Sequence, residues 1–256
     1  MAKAKKSFLI VGNWKMNPET AEEARSVFSA VARLAAKHKG QSVVVAPPAA
    51  FIASLSKKGS PLSVAVQDVS HEASGAFTGS VSAKQAKSAG ASYAIIGHSE
   101  RRAVGDTDEL VAKKASRALE AGLRIVLCVG ETERDEHAQY LRNVRGQVLS
   151  VLSAIDKKEA KDIAIAYEPV WAIGKSYDTA PSPLDIHEMV IYIRKVAAEA
   201  LGKKLGLAIP VLYGGSVDSK NAKDFLSNAG IDGLLVGRQS LDPKAFGSII
   251  EYAASI

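Results

Sequence analysis

Ile163-Ala164-Ile165-Ala166-Tyr167-Glu168-Pro169 joins five apolar residues to one carboxylate and then to a proline. An unbroken apolar run of this length suits a strand buried on both faces of a parallel sheet. Pro169 fixes its own φ and has no N–H for a ladder, so the strand ends by Glu168. Runs of the same kind recur outward from it at Phe8–Val11, Val43–Ala46, Leu62–Val66, Tyr93–Ile96, Ile125–Val129, Ile209–Leu212 and Gly233–Val236. Eight strands are therefore expected. Helical patterns fill the gaps at 19–37, 48–57, 82–89, 107–121, 134–155, 184–201, 219–229 and 243–254. In the 107–121 pattern Asp106 is the expected cap, with Glu109 three positions on and Gly122 as the stop.

Eight strand–helix units of this size predict a closed (β/α)8 barrel, in preference to an open doubly wound sheet. No Pro- or Ser-rich linker divides the 256 residues, so residues 1–256 read as one domain, with 1–6 as a basic tail. Lys and Arg number 33 against 27 Asp and Glu, a net charge of +6. That excess is scattered and lacks interleaved aromatics, which argues against nucleic acid and suits a small anionic metabolite. Cys128 stands alone, so no intramolecular disulfide can form, in keeping with a reducing, cytoplasmic setting. The five histidines lack ligand spacing, so no metal is expected. No apolar segment reaches membrane-spanning length, so no membrane partner is expected.

In such barrels, chemistry collects at the C-terminal ends of the strands. Those ends carry Gly12-Asn13-Trp14-Lys15, Gly97-His98-Ser99-Glu100, Glu168, Tyr213-Gly214-Gly215-Ser216 and Val236-Gly237-Arg238. Asn13 and Lys15 are two apart and point to one side of an extended chain. Glycines in the last two loops let backbone N–H groups approach an anion. Taken singly, each feature has a plainer reading. Glu168 could be a surface carboxylate, Lys15 or His98 a surface or satisfied core residue, and Gly214-Gly215 an ordinary turn. Their joint placement at one end of a barrel favours a site for a phosphorylated substrate.

Five segments closely resemble triosephosphate isomerases. They are Val11–Asn17, Ser74–Gly79, Ile96–Arg102, Ala166–Gly174 and Tyr213–Val217, within a likeness running from residue 8 to about 254. The resemblance implies the TIM barrel fold. It also implies a cofactor-free aldose–ketose isomerase of glycolysis and gluconeogenesis, which interconverts the triose phosphates dihydroxyacetone phosphate and D-glyceraldehyde 3-phosphate through an enediolate. It carries over Glu168 as the base and Lys15 as the stabiliser of negative charge, with Asn13 donating beside it. His98 acts as a neutral proton shuttle, the family's established arrangement. It implies phosphate contacts from backbone N–H groups of Gly174, Ser216, Gly237 and Arg238. Ser99 and Glu100 support the glutamate and lysine, and Cys128 packs near the site. A homodimer is implied too, with Thr78 reaching toward the partner's site.

The chain departs from the family in three places. Lys175–Ala180 is longer than the usual Thr-Gly-Lys continuation, Arg238 replaces a common glycine, and Ser80 replaces a frequent glutamate. Two other readings stay open: a low-activity homologue that binds sugar phosphates or partners, and a different phosphate-binding barrel enzyme.

Overall fold

The strands are β1 (Leu9–Asn13), β2 (Ser42–Ala46), β3 (Leu62–Val66), β4 (Tyr93–Ile96), β5 (Arg124–Val129), β6 (Ile163–Tyr167), β7 (Val211–Tyr213) and β8 (Gly233–Val236). Each pairs in parallel with the next, and β8 returns to β1, closing the barrel. The computed structural model describes residues 6–172 and 181–256. Among these lie helices α1 (Ala21–Ala35), α2 (Ile52–Leu55), α3 (Ala83–Ser88), α4 (Ser99–Ala103), α5 (Asp108–Glu120), α6 (Gln139–Leu152), α7 (Pro183–Leu201), α8 (Lys203–Ala208), α9 (Ala222–Asn228) and α10 (Pro243–Ser255).

Alternation sorts the strand residues into two layers. Val11, Val44, Ala65, Ile95, Val126, Ala164, Ala166, Leu212 and Leu235 fill the barrel interior. Their neighbours Ile10, Val43, Ile96, Ile125, Ile165 and Tyr167 face outward into a second core shared with the helices. Small Ala164 and Ala166 sit opposite larger Val126 and Leu212 inside, which lets the layers interdigitate. Burial of each larger aliphatic side chain contributes about 1.5–3 kcal/mol.

Local signals explain most helix starts. Thr20 with Glu23, Ser82 with Gln85 and Ser182 with Asp185 form reciprocal capping boxes, and Pro183 occupies the first turn of α7. Three expected element ends need correcting. Thr107, not Asp106, caps α5 by accepting from Leu110 N–H at 3.3 Å. Asp106 is buried and instead accepts from Lys114 Nζ at 2.6 Å. The helix expected over 134–155 begins only at Gln139. Ala138 lies at φ 56°, and the Asp135 carboxylate accepts from the N–H groups of His137, Gln139 and Tyr140, holding this stretch in a turn. β7 begins at Val211, after the expected Ile209, because Pro210 cannot donate to a ladder.

The two extra helices, α4 and α8, are short. Lys6, expected in a solvated tail, is anchored: its Nζ donates to Ile231 O at 2.7 Å.

At the closing seam Leu9 pairs with Gly233, where a Cβ would lie 1.9 Å from the Leu9 carbonyl oxygen. Gly233→Ala should therefore destabilise the barrel by at least about 1–3 kcal/mol in urea unfolding. Gly40→Ala, whose added Cβ meets nothing within 4 Å, is the control. Equal stability of the two variants would contradict this account of the seam.

Candidate active site

Strand parity delivers the first site residues. Ala164 and Ala166 face the barrel interior, so Glu168, two further on, continues the inward face at the mouth. Val11 does the same for Asn13. His98 has the wrong parity relative to Tyr93 and Ile95. Gly97 corrects this by taking φ 76°, a left-handed turn that re-aims the chain before α4.

Lys15 departs from the extended chain that the sequence predicts, because β1 stops at Asn13. It adopts φ 54°, a conformation uncommon for a residue with a side chain. Its N–H donates to Asn13 Oδ1 at 3.0 Å, and its carbonyl accepts from Gln67 Nε2 at 2.7 Å. These bonds hold the turn that aims Lys15 into the cavity. Its Nζ lies 2.5 Å from Glu100 Oε1.

Glu168 is only 2 % exposed, which removes the surface-carboxylate reading. Its Oε2 accepts from Ser99 N–H at 3.0 Å, and its Oε1 lies 3.3 Å from His98 Nε2. Glu100 N–H donates to His98 Nδ1 at 3.2 Å. The lone pair is thus at Nδ1 and the ring proton at Nε2, facing Glu168. Ser99 supports Glu168 through its backbone, and Glu100 holds Lys15 through its carboxylate and His98 through its N–H. Gly214 has a role beyond anion approach, since its missing Cβ would sit 3.0 Å from Glu168 Cγ. Cys128 is fully buried below. Burial first, and the Glu168 charge second, push its thiol well above the usual range.

A cavity of about 560 Å³ joins these residues. Asn13, Lys15, His98 and Glu168 line it together with Ser216, Gly237 and Arg238. Arg238 is exposed at the rim and begins a short turn, Arg238–Leu241. Gly174 and the Lys175–Ala180 stretch lie outside the described residues. Thr78 sits in an exposed loop, away from this cavity. Among the described residues, no group of three His, Cys, Asp or Glu side chains could hold a metal ion, and no helix is long and apolar enough to cross a membrane.

A sequence model described as triosephosphate isomerase matches residues 8–253. The chain belongs to the triosephosphate isomerase family. It is 39% identical over 242 residues to a triosephosphate isomerase of Coprinopsis cinerea, spanning 93% of this chain and 95% of the relative. It also resembles the crystal structure of triosephosphate isomerase from Bartonella henselae, with a TM-score of 0.84 and 32% identity over 96% of this chain and 98% of that one. The chain is accordingly an isomerase of triose phosphates, and nothing favours the binding-protein alternative.

Sequence reasoning missed Glu131, which follows β5 and binds Tyr167 and Trp171 on either side of Glu168. The strand-end rule that selected Glu168 would have selected it too. Gln67, which secures Lys15, also stands one residue past its strand.

The buried Cys128 has a consequence for this triosephosphate isomerase family member in alkali. An unfolded thiol ionises near its ordinary value, about 8.5, while the folded thiol stays protonated to higher pH. In that interval the unfolded state alone loses a proton, so folding stability falls as pH rises. Cys128→Ala should flatten this decline between about pH 8 and 10 in urea unfolding. Parallel declines in parent and variant would remove the thiol as the cause.

Proposed function

We propose that Glu168 is the base that moves the carbon-bound proton in triose phosphate isomerisation. The observation that carries this reading is a buried carboxylate aimed by strand parity into a cavity that also holds Lys15 and a neutral His98. The base removes a proton from one carbon of the substrate and returns it to the neighbour. An enediolate forms between the two steps.

His98 serves the oxygens of that intermediate. A ring with its proton on Nε2 can donate to the developing oxyanion, and the neutral form suits proton exchange between two adjacent oxygens. Lys15 supplies a fixed positive charge where negative charge develops, and Asn13 lies beside it. Glu168 itself is committed to Ser99 N–H and His98 in this arrangement. Its side chain must therefore swing off these partners to meet the substrate carbon.

The phosphate is held by the glycine loops. Gly237 and Arg238 start a short turn, Ser216 lines the same cavity, and backbone N–H groups there, with Gly174 as a further one, suit an anion. Phosphate binding remote from the reacting carbons anchors the substrate and lets binding energy contribute to catalysis.

A homodimer completes the reading. A second cavity, of about 530 Å³, lies against Asn13, Lys15, His98 and Glu100 on one side and reaches Phe77 on the other. Met16 beside it is 92 % exposed, and loop 73–80 is exposed throughout. Two copies exchanging these loops would cover Met16 and bring Thr78 near the partner's Lys15 and Asn13. A cytoplasmic setting fits the single free thiol and the family's place in glycolysis.

Glu168→Ala should lower turnover by about 10²-fold or more in a coupled triose phosphate assay, with competitive inhibition by inorganic phosphate retained. Unchanged turnover would exclude Glu168 as the base. Sedimentation equilibrium should show a dimer, and replacing 74–79 by a short glycine–serine turn should give monomers with turnover lowered about 10²-fold. Fully active monomers would exclude the loop exchange.

A further inference from the structure

The chemistry above leaves a buried carboxylate beside Glu168 unused. Glu131 is 1 % exposed, and its Oε1 gathers three donors: the Tyr167 hydroxyl at 2.7 Å, Trp171 Nε1 at 2.8 Å and Arg134 Nε at 3.3 Å. Arg134 Nη2 also donates to the Tyr167 oxygen at 3.3 Å. The guanidinium carbon lies 5.3 Å from the centre of the Tyr140 ring and 5.4 Å from that of Trp171. Its Nη1 comes within 4.0 Å of Asp185 on α7.

These contacts converge on the backbone around Glu168. Tyr167 precedes it directly, and Trp171 lies three residues after it, within the short turn Val170–Ala172. Glu168 N–H donates to Val129 O and Val170 N–H to Glu131 O, so the main chain on both sides is tied to the end of β5. There is no slack at that junction, where a Cβ on Gly130 would fall 1.7 Å from the Glu168 carbonyl oxygen.

We propose that Arg134 is a positioning residue for Glu168, acting through Glu131 and the Trp171 indole. A buried carboxylate needs a cation or strong donors to remain charged in place. Among the described residues Arg134 is the cation paired with Glu131, whose other oxygen, Oε2, is buried without a partner. Removing the guanidinium leaves that charge uncompensated, and Trp171 then loses the acceptor that fixes its turn. The planar fork matters as well as the charge, since separate nitrogens meet Glu131 and Tyr167 while its carbon lies near two aromatic rings.

The inference rests on Glu168 as the base, and the test separates the two. Arg134→Met should lower kcat about tenfold, with KM and the inhibition constant for inorganic phosphate within about twofold, because Ser216, Gly237 and Arg238 lie on other loops. Arg134→Lys keeps the charge without the fork and should recover only part of the loss. Trp171 emission, taken as parent minus Trp171→Phe, should change in both Arg134 variants.

In a Trp171→Phe background, Arg134→Met should lower kcat less than about twofold further, since its route of action is already gone. Parental kcat in both Arg134 variants overturns the positioning role. So does an equal loss with and without Trp171, or a KM that rises in step. If Arg134→Met does not fold, Arg134→Lys decides: parental kcat and emission overturn the proposal. Unchanged turnover in Glu168→Ala overturns the base assignment instead.

Discussion

Closure of the barrel is the constraint on which everything else depends. β1 pairs with β2 on one side and β8 on the other, so Leu9 is matched to both Ser42 and Gly233. A closed ring has no free edge along which a strand could slide. Slipping any strand by one residue would exchange its inward and outward sets. Val126 and Ala166 would then face the helices, and Ile125 and Ile165 the crowded interior. Register is therefore fixed by packing, and the residues just past each strand inherit their direction from it. Asn13, Gln67 and Glu168 all follow this rule.

Where the rule would misdirect a side chain, the backbone departs from it. Gly97 at φ 76° re-aims His98, and Lys15 holds φ 54° without being glycine. The second conformation is strained and persists because Asn13, Gln67 and Glu100 each bond to Lys15. These three bonds together fix the direction in which the lysine side chain leaves the backbone. Glu100 partly offsets its charge, yet it also holds the ammonium at one position on the cavity wall.

The strands were legible because burial on both faces leaves a continuous apolar signature, as in Ile163–Tyr167. Their ends were less so. Ile209 reads as strand by composition, but Pro210 moves the ladder to Val211. Asp106 reads as a cap because Glu109 follows three residues later, yet Thr107 serves equally well, and Asp106 is needed by buried Lys114. Local chemistry alone could not reveal that long-range demand. That Glu168, Lys15 and His98 would meet in one cavity was legible because all three stand at strand ends. Glu131 stands near a strand end too, but its ties to Tyr167 and Trp171, 36 and 40 residues away, leave no local pattern.

The start of α4 couples Glu168 and His98, the carboxylate and the imidazole that face each other in the cavity. Successive N–H groups there serve different partners, Ser99 donating to Glu168 and Glu100 to His98 Nδ1. The second donation calls for a lone pair at Nδ1, so one helix start holds both side chains through its backbone. Its placement depends on Arg102, which donates from Nε to Gly97 O at 2.9 Å and from Nη1 to Asp108 Oδ1 at 2.6 Å. A shift of α4 would move both donors together, disturbing the glutamate and the histidine in concert. The geometry of the pair is thus a property of the fold at this turn, shared between two side chains that the sequence places 70 residues apart.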